Sequence, residues 1–356
     1  MRRTVFWAAI VLGAGACLAG DPVVSNVRAQ QRGGGSRLVD IRYDAADADG
    51  DRLTVNVTLT DDGAAIPAAS LSGDVGANVR PGTGKQIVWD AGADWSGHLS
   101  DNVRATVTAD DGRTPAVPQG MVRIPGGTNS GTDPDFGAYS LTVEAFYMDA
   151  TEVTKAKWDE VYAWAIAHGY SFDHVGSGKA ANHPVHTVSW YDVVKWCNAR
   201  SEKEGRTPCY NLSTWACDFA ANGYRLPTVA EWVYAARGGQ SGRRFPWGDT
   251  ITHSQANYYS SSSYSYDVSP TRGSHPTYAT GGYPYTSPAG AFAANGYGLY
   301  DMAGNVWEWC NDSSGSIRSL RGGSWNIFAL YARCGYSYWY YPGYAYSNFG
   351  FRAVCR

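Results

Sequence analysis

The chain has 356 residues, a formal net charge of −3 and a pI near 6.2. This length is sufficient for two domains. The slightly acidic balance, and the lack of a basic run interleaved with aromatic residues, exclude a nucleic-acid-binding surface. With 42 glycines, 25 tyrosines, 14 tryptophans and only 17% charged residues, the composition is typical of a loop-rich extracellular module packed with aromatic rings.

Residues 1–19 have the pattern of a secretory signal peptide. Arg2 and Arg3 form a positive start, and residues 5–18 are apolar but too short to cross a bilayer as a mature helix. A membrane anchor is the alternative, but no second apolar span follows. Cys17 is a candidate for lipid attachment, although the usual leucine three residues earlier is missing. We expect an exported, extracytoplasmic protein (periplasmic, secreted or lipid-anchored) without a transmembrane span.

The cysteine count agrees with export. Seven cysteines less Cys17 leave six, an even number as expected for a disulfide framework. Six cysteines allow 15 connectivities, so the sequence alone does not decide among them. Cys209 and Cys217 bracket a short loop and are predicted to pair. A thiol-based metal site is the alternative, but the sequence has no Cys-x-x-Cys motif or mixed Cys/His cluster.

The segment 22–112 is predicted to form an all-β domain. Apolar and polar residues alternate with a period of two in four segments, at 38–43, 53–59, 86–89 and 103–108. Turns rich in glycine or aspartate separate them, at 49–50, 62–63, 82–84 and 111–112. Short strands with frequent turns indicate a sandwich of the immunoglobulin or fibronectin type.

An acidic cluster in this domain offers a candidate metal site, formed by Asp44, Asp47, Asp49 and Asp51. An EF-hand loop that starts at Asp47 would need a glutamate where Thr58 stands. We therefore interpret the cluster as a solvated turn, with Ca²⁺ binding as the alternative.

A Pro-bearing linker at 113–118 precedes a second, more aromatic domain over 119–356, which opens with a strand and turn at 121–127. Three helices are predicted in it, with Thr154, Ser189 and Thr228 as their N-caps. Gly205 ends the second helix and two glycines at 238–239 end the third. Buried stripes at helical spacing support the first two helices, through Trp158, Val161, Tyr162 and Ala165 and through Trp190, Val193, Val194 and Cys197.

Five ordered blocks in the second domain carry a family pattern. They read YRLPTVAEW at 224–232, FPWG at 245–248, NGYGLYDMAGNVWEW at 295–309, LRGGSW at 320–325 and NFGFR at 348–352. With these blocks the segment 119–356 resembles the formylglycine-generating enzyme family, also called the sulfatase-modifying-factor family. The resemblance implies an α+β, loop-rich, C-type-lectin-like fold.

The sequence departs from that family at the two positions of its copper-binding cysteines. The members that oxidise cysteine to formylglycine carry two copper-binding cysteines, three and eight residues after the serine of Arg-Gly-Gly-Ser. Here Ser324 is followed at those positions by Ile327 and Ala332, and Cys334 lies ten residues away. Because no ligand replaces the thiolate pair, copper is not expected and no catalytic residue is assigned.

The resemblance also implies a disulfide and a metal ion. The family often ties its second helix to the terminal strand, which implies Cys197–Cys355 and leaves Cys310–Cys334. Family members hold a structural Ca²⁺ at four positions that are all chemically competent here: Asp301, Gly304, Val306 and Glu308. The alternative is that the two carboxylates only form hydrogen bonds within a buried turn.

A second calcium site of the family would use Asn257, Tyr258 and a later Asp-Gly-aromatic unit. That unit reads Gly-Gly-Tyr at 281–283. Since its carboxylate is missing, this site is predicted to be weak or lost.

Other conspicuous side chains are interpreted as structural. Five motif tryptophans are expected in the core rather than on a stacking platform: Trp232, Trp247, Trp307, Trp309 and Trp325. Only His183 and His186 are close among the histidines of the second domain, and on a strand they would point to opposite faces. No Gly-x-Ser-x-Gly elbow is present.

The segment 326–348 is dense in Tyr, Ser, Gly, Ala and Asn, which is the composition of antibody paratopes. It also resembles the variable region of lectin-fold proteins diversified by retroelements, which lies between Gly-Gly-Ser-Trp and Gly-Phe-Arg landmarks. The predicted ligand-binding residues are Tyr336, Tyr338, Trp339, Tyr340, Tyr341, Tyr344 and Tyr346. A merely structural tyrosine-rich loop is the alternative.

Together these observations predict an exported binding protein whose aromatic C-terminal surface takes a protein, peptide or glycan ligand. A structural envelope protein without a ligand is one alternative. The other is an oxidase that converts a sulfatase cysteine to formylglycine, and the missing cysteine pair argues against it.

Overall fold

The computed structural model describes residues 22–47, 50–98, 100, 102–112 and 117–356. The chain divides into two compact units, Met1–Ala116 and Val117–Arg356. The predicted signal peptide, and most of the predicted linker, lie outside the described residues. Within the described residues no helix has the length and apolar character needed to cross a membrane.

The described part of the first unit consists of eight strands and a single-turn helix, which are β1 (Val23–Gln31), β2 (Leu38–Ala46), β3 (Leu53–Asp61), β4 (Ala64–Ile66), β5 (Leu71–Gly73), β6 (Gly76–Val79), β7 (Gly82–Asp90), α1 (Ala91–Asp94) and β8 (Val103–Asp110). One antiparallel sheet has the order β1-β2-β7-β5. In the other, β3 pairs along its length with β8 and near its two ends with β4 and β6.

Both sheets of the first unit contribute to one hydrophobic core. Ile41 in β2, Leu53 in β3 and Trp89 in β7 are fully buried, as the period-two alternation requires. The four predicted strands are thus found in β2, β3, β7 and β8, and the unit is all-β apart from α1. The predicted turn at 82–84 is instead the start of β7.

Part of the first unit was hidden from sequence patterns. In β1 the pairing register shifts between Ser25 and Arg28, and Asn26 has a φ of 53°, so the alternation of apolar and polar residues is broken.

The acidic cluster behaves as a turn where it is described, because an Asp47 carboxylate oxygen accepts the Asp51 amide at 2.6 Å.

The second unit has mixed sheets and few helices, as predicted. Its elements are β9 (Met121–Ile124), β10 (Gly127–Asp133), β11 (Gly137–Val143), β12 (Phe146–Asp149), α2 (Lys155–Ala167), α3 (Trp190–Lys203), α4 (Val229–Ala236), β13 (Trp307–Ser314), β14 (Ile317–Arg321), a 3₁₀ turn (Ala329–Ala332), β15 (Tyr338–Tyr340), β16 (Phe349–Gly350) and β17 (Val354–Cys355). The sheets have the orders β10-β11, β17-β12-β9 and β15-β14-β13-β16, with β13 and β16 parallel.

The three helices begin where their N-caps predict. Thr154 accepts the Lys157 amide at the start of α2. Ser189 caps α3, and Thr228 and Glu231 form a capping box at the start of α4. The predicted residues of α2 and α3 are buried, except Tyr162, which is half-buried. α3 ends at Lys203, and its C-cap Glu204 precedes Gly205, whose φ is 73°.

Candidate functional site

The turn that leads into β13 has an unusual backbone. Asp301, Gly304 and Asn305 have left-handed φ values of 55°, 86° and 60°. A Cβ on Gly304 would lie 2.3 Å from the carbonyl oxygen of Asn257, so only glycine fits there. The Gly304 amide donates to the carbonyl of Gly322 at 2.7 Å, and this bond ties two of the sequence blocks together.

Glu308 connects three sequence blocks inside the core. Its carboxylate accepts the indole N–H of Trp232 at 2.7 Å and two N–H groups of Arg352, also at 2.7 Å. All three residues are fully buried. The carboxylate is thereby paired and hydrogen-bonded, as a buried charge must be.

Two further carboxylates lie close to this ion pair. Glu152 accepts the Asn305 side-chain amide at 3.0 Å and the Val306 backbone N–H at 3.3 Å. Burial, reinforced by the charges of Asp301 and Glu308, raises the pKa of Glu152 well above its ordinary value. Burial likewise raises the pKa of Asp301 to about 6.

Asp301 has one oxygen to spare. Its Oδ2 accepts the Gly290 amide at 2.5 Å, whereas its Oδ1 is buried and has no hydrogen-bond partner. Orphaned buried oxygens of this kind are rare and indicate a missing partner. Three carboxylates facing a single guanidinium leave this region with an excess of negative charge when all are ionised.

These residues fit a hard cation on the Asp301 side. Asp301 Oδ1 is open, and Gly304 and Val306, whose carbonyls complete the predicted set, lie in the same turn. Glu308 already accepts three hydrogen bonds, so of its roughly four lone-pair positions about one remains for a metal. No group of three or more His, Cys, Asp or Glu side chains with metal-holding geometry occurs in the described residues, but this set needs only two carboxylates.

The predicted second calcium position is only partly assembled. The Asn257 Oδ1 is buried without a partner, while its Nδ2 donates to the Tyr285 carbonyl at 2.8 Å. The Tyr258 hydroxyl donates to Asp267 at 2.7 Å. Gly281, at the place of the missing carboxylate, has a φ of 70° and open space around it.

The positions of the family's copper ligands are occupied by aliphatic side chains. Ile327 is half-buried, and its carbonyl accepts the Tyr259 amide at 2.9 Å. Ala332 is buried at the end of the 3₁₀ turn. The hydroxyl of Ser324 is fully buried and donates to Asn326 at 2.9 Å, with no base in contact.

The thiols of this unit are not activated. Burial raises the pKa of Cys334 to about 12 and that of Cys217 to about 11. Burial also raises the pKa values of the other four cysteines in this unit above their ordinary range. At neutral pH all six are therefore protonated and poor metal ligands.

The three predicted disulfides, Cys197–Cys355, Cys209–Cys217 and Cys310–Cys334, are not formed; these six cysteines are free thiols. Their sulfurs have other neighbours. Cys355 Sγ lies 3.7 Å from Met121 Sδ, Cys209 Sγ lies 3.7 Å from the Ala221 carbonyl, and Cys310 Sγ lies 3.9 Å from the Glu308 carbonyl.

The predicted ligand-binding residues separate into two groups. Tyr336 and Tyr338 are half-buried and face the core, where the ring of Tyr338 stacks on that of Trp307 with centroids 5.2 Å apart. Trp339, half-buried in β15, pairs in register with Ser319 of β14. Tyr336 and Tyr338 are therefore more structural than their composition predicts.

The other group forms an aromatic cluster, which we call the tyrosine surface. It consists of the half-buried Tyr340, which also packs against the core, and the exposed Tyr341, Tyr344 and Tyr346. Its outer three residues are 56%, 51% and 41% exposed. Tyr340 lies at the centre, with its ring 5.3 Å from that of Tyr344 and its hydroxyl 3.0 Å from that of Tyr346.

Backbone hydrogen bonds hold the tyrosine surface against the rest of the unit. The Pro342 carbonyl accepts the amide of Trp190, the first residue of α3, at 2.9 Å. The Tyr346 carbonyl accepts the Thr187 amide at 2.9 Å. Since these bonds use carbonyl groups alone, the tyrosine rings remain free to contact a ligand.

The structure also locates the residues interpreted as structural. Four of the five motif tryptophans are buried, and the fifth, Trp247, is half-buried against Phe245. His183 and His186 are buried, and their Nδ1 atoms lie 2.9 Å from the hydroxyls of Thr286 and Thr187.

Sequence patterns missed two features of the site. Glu152 lies outside the five blocks, and no spacing rule connects it with Asn305, which is 153 residues away. Tyr283, which is 77% exposed, lies with Tyr285 beside Trp325 at ring distances of 5.4 and 5.6 Å. Only the tyrosine-rich composition hinted at this second aromatic patch.

The fold and the linked sequence blocks define a domain of the sulfatase-modifying-factor class. A family model described as "Sulfatase-modifying factor enzyme 1-like domain" matches residues 107–356. This match covers more than half of the chain, which therefore belongs to this family.

Relatives within the family carry different names. The chain is 37% identical over 191 residues to a formylglycine-generating enzyme of Thermomonospora curvata, an alignment that covers 51% of this chain and 52% of that protein. It is 30% identical over 240 residues to the chaperone protein LppX of Paenibacillus barcinonensis, covering 59% of this chain and 79% of the relative. The chain thus spans only about half of the first of these relatives.

Two solved structures share the fold. The protein CarF superposes with a TM-score of 0.53 and 29% identity, covering 67% of this chain and 99% of CarF. The Treponema denticola variable protein 1 superposes with a TM-score of 0.50 and 27% identity, covering 68% and 98% of the two chains.

Proposed function

We propose that this chain is an exported binding protein that uses the tyrosine surface to hold a protein, peptide or glycan ligand and does not oxidise cysteine. One observation carries the proposal: three exposed tyrosines surround the half-buried Tyr340 on a segment whose backbone is fixed by hydrogen bonds to α3 and to Thr187. Rigid aromatic side chains give contact area at a small cost in conformational entropy.

The chemistry of this surface favours a ligand without strong charge. Residues 335–351 include no Asp, Glu, Lys, Arg or His. Tyrosine contributes an apolar ring and a hydroxyl that both donates and accepts hydrogen bonds. Such a surface suits a peptide or protein segment rich in apolar and polar uncharged groups, or the faces of neutral sugar rings, and does not suit nucleic acid.

The similarity to the Treponema denticola protein supports a further element of the proposal, because that protein is named a variable protein. A binding surface at this position can change its ligand when its aromatic residues change. Comparison of sibling strains tests this point, and we expect substitutions to concentrate in 326–348.

The similarity to the Thermomonospora curvata enzyme supports the oxidase alternative. Against it stand Ile327 and Ala332 at the ligand positions and the buried Cys334, whose pKa is raised to about 12. A Cys-x-Pro-x-Arg peptide incubated with the protein, Cu⁺, Ca²⁺ and oxygen should keep its cysteine in mass spectra. Conversion to the aldehyde would overturn the proposal.

The remaining parts of the chain receive supporting roles. We assign the first unit to the immunoglobulin or fibronectin type and propose that it is a spacer, with a signal peptide over residues 1–19 that directs export. We propose a structural Ca²⁺ held by Asp301, Glu308 and the carbonyls of Gly304 and Val306. A calcium ion there would neutralise the excess carboxylate charge of the buried turn.

The proposal is tested with the double variant Tyr341→Ala/Tyr344→Ala. An array of peptides, secreted proteins and glycans is first screened with the natural chain. We expect the double variant to lose about tenfold or more in affinity for any ligand found, because paratope aromatics contribute strongly to binding. Phe219→Ala, which removes an exposed ring elsewhere, is the matched control and should bind like the natural chain.

Equal affinity of the double variant and the natural chain would refute the tyrosine surface as the binding site. Circular dichroism on each variant excludes a folding defect as the cause of lost binding.

A further inference from the structure

The first unit contains a cavity of about 400 Å³ that plays no part in the function proposed above. It lies beside the end of β1, the start of β2, the end of β7 and the segment that follows α1. Val39 and Trp89 line it from beneath and, at 2% and 0% exposure, leave almost no surface open to it. A cavity of this size accommodates a small molecule of one or two rings.

One wall of the cavity is an aromatic pair. The rings of Trp95 and His98 are stacked, with centroids 4.9 Å apart and planes inclined by 5°. The neighbouring Asp94 is held by three hydrogen bonds, from the Trp89 indole at 2.9 Å, the Ser70 amide at 2.8 Å and the Ser70 hydroxyl at 2.7 Å. These bonds fix the segment that carries Trp95, so the wall is formed before any ligand arrives.

The described lining of the cavity includes a cation. Arg37 lines it, and none of the described lining residues is Asp or Glu. The stem of Arg37 packs on α1, since a Cβ at Gly92 would lie 2.8 Å from Arg37 Cδ. Among the described residues the Arg37 guanidinium has neither a hydrogen bond nor an ion pair, whereas the nearby Arg32 is paired with Asp40 at 2.8 Å.

The acidic residues behind the cavity are occupied. Asp94 accepts the three hydrogen bonds given above, and Asp61 accepts the hydroxyl of Ser100, a lining residue, at 2.5 Å. Among the described residues, the charge that lines the cavity is therefore the positive charge of Arg37, beside an aromatic wall.

We propose that this cavity is a binding site for a small ring compound that carries a carboxylate. The guanidinium of Arg37 would receive the carboxylate in a two-point ion pair, for which its planar fork is suited. The ring would lie against the Trp95–His98 wall. An acidic sugar and an aromatic acid both have this chemistry.

Isothermal titration calorimetry of the full chain distinguishes an acidic sugar from an aromatic acid. The probes are glucuronic acid and indole-3-acetic acid, each compared with an uncharged counterpart, glucose and 3-methylindole. We expect saturable binding of at least one acid, about tenfold tighter than that of its counterpart, because a charge-assisted pair contributes roughly that factor. The acid that binds identifies the source.

Arg37→Gln should weaken binding of that acid about tenfold, and Trp95→Ala should weaken binding of acid and counterpart alike. Arg80→Gln removes an exposed arginine of the same unit that does not line the cavity and should leave binding unchanged. Because Arg37 is exposed, its substitution does not endanger folding. Failure of both acids to bind, or equal affinity in Arg37→Gln, would overturn the proposal without affecting the tyrosine surface.

Discussion

Arg352 and Glu308 form a two-point ion pair in the core of the second unit, with both N–O distances at 2.7 Å and neither side chain exposed. The guanidinium also donates to the Tyr300 carbonyl at 2.8 Å. The pair joins the NFGFR block to the block that ends in β13, which explains physically why these blocks occur together.

Removal of one partner should be severely destabilising. For Arg352→Met we expect a loss of about 3–5 kcal/mol in the free energy of unfolding, since Glu308 would be left as a buried charge without its counter-ion. Urea denaturation followed by fluorescence measures this loss. The matched control is Arg243→Met, which breaks a pair with Asp249 whose side chains are 50% and 41% exposed; it should cost at most about 1 kcal/mol. Similar losses in both variants would contradict the assigned role.

Calcium should stabilise the second unit through Asp301. At a hundredfold excess over its Kd, Ca²⁺ adds about 2.7 kcal/mol to the free energy of unfolding of a protein that binds it only when folded. We expect Ca²⁺ to raise Tm in the natural chain and EGTA to reverse the effect. Asp301→Ala should abolish the Ca²⁺-dependent difference, because the open Oδ1 is lost.

The control for the calcium experiment is Asp173→Ala, which removes a carboxylate that is 69% exposed. It should retain the full Ca²⁺-dependent rise in Tm. This site would be excluded if Ca²⁺ did not change the Tm of the natural chain, or if Ca²⁺ still raised the Tm of Asp301→Ala.

The two groups of tyrosines should differ in their effect on stability. Tyr338→Ala removes a ring stacked on buried Trp307 and should lower the free energy of unfolding by about 2–3 kcal/mol. Tyr344→Ala removes a ring that is 51% exposed and should change it by about 0.5 kcal/mol or less. Thermal and urea unfolding of both variants provide the comparison. A reversed order would show that Tyr344 is the structural residue.

Stability should fall at alkaline pH, and Cys334 should contribute to the fall. Burial raises the pKa of Cys334 to about 12 in the folded chain, so above an unfolded pKa of about 8.5 the unfolded chain releases a proton that the folded chain keeps. The free energy of unfolding then decreases with rising pH, by about 1.4 kcal/mol per pH unit for each such thiol, until pH reaches the folded pKa.

Urea unfolding of the reduced chain at several pH values measures that slope. In Cys334→Ala the free energy of unfolding should fall less steeply with rising pH, and the difference in slope should correspond to one proton. Below about pH 8 the two chains should have parallel pH profiles, because neither state ionises this thiol there. An unchanged alkaline slope in Cys334→Ala would show that this thiol ionises alike in both states.

Local chemistry made much of the fold predictable. A capping serine or threonine satisfies backbone amides within its own turn, so Ser189 and Thr228 marked helix starts without knowledge of the rest of the chain. In the same way, period-two alternation revealed β2, β3, β7 and β8. The bulge at Asn26 concealed β1, because an extra residue shifts the side chains to the other face.

Contacts over long distances in the chain were beyond such reasoning. Nothing local connects Glu152 with Asn305, or indicates that Cys355 lies against Met121 rather than pairing with Cys197. Composition singled out the aromatic segment 326–348. It did not separate the core-facing Tyr338 from the exposed Tyr344, because that depends on how β15 packs on Trp307 and on the path of the turn that follows β15.

The hydrogen bonds accepted by the backbone carbonyls of Pro342 and Tyr346 have an evolutionary consequence. Every residue type has a carbonyl group, so the anchors at Trp190 and Thr187 survive replacement of the residue that supplies the acceptor, provided the backbone path is kept. Mutations can then accumulate at the exposed ring positions with little effect on folding. Under the proposed binding function, such a lineage would exchange one ligand for another by a series of single substitutions, each of which leaves a folded protein for selection to act on.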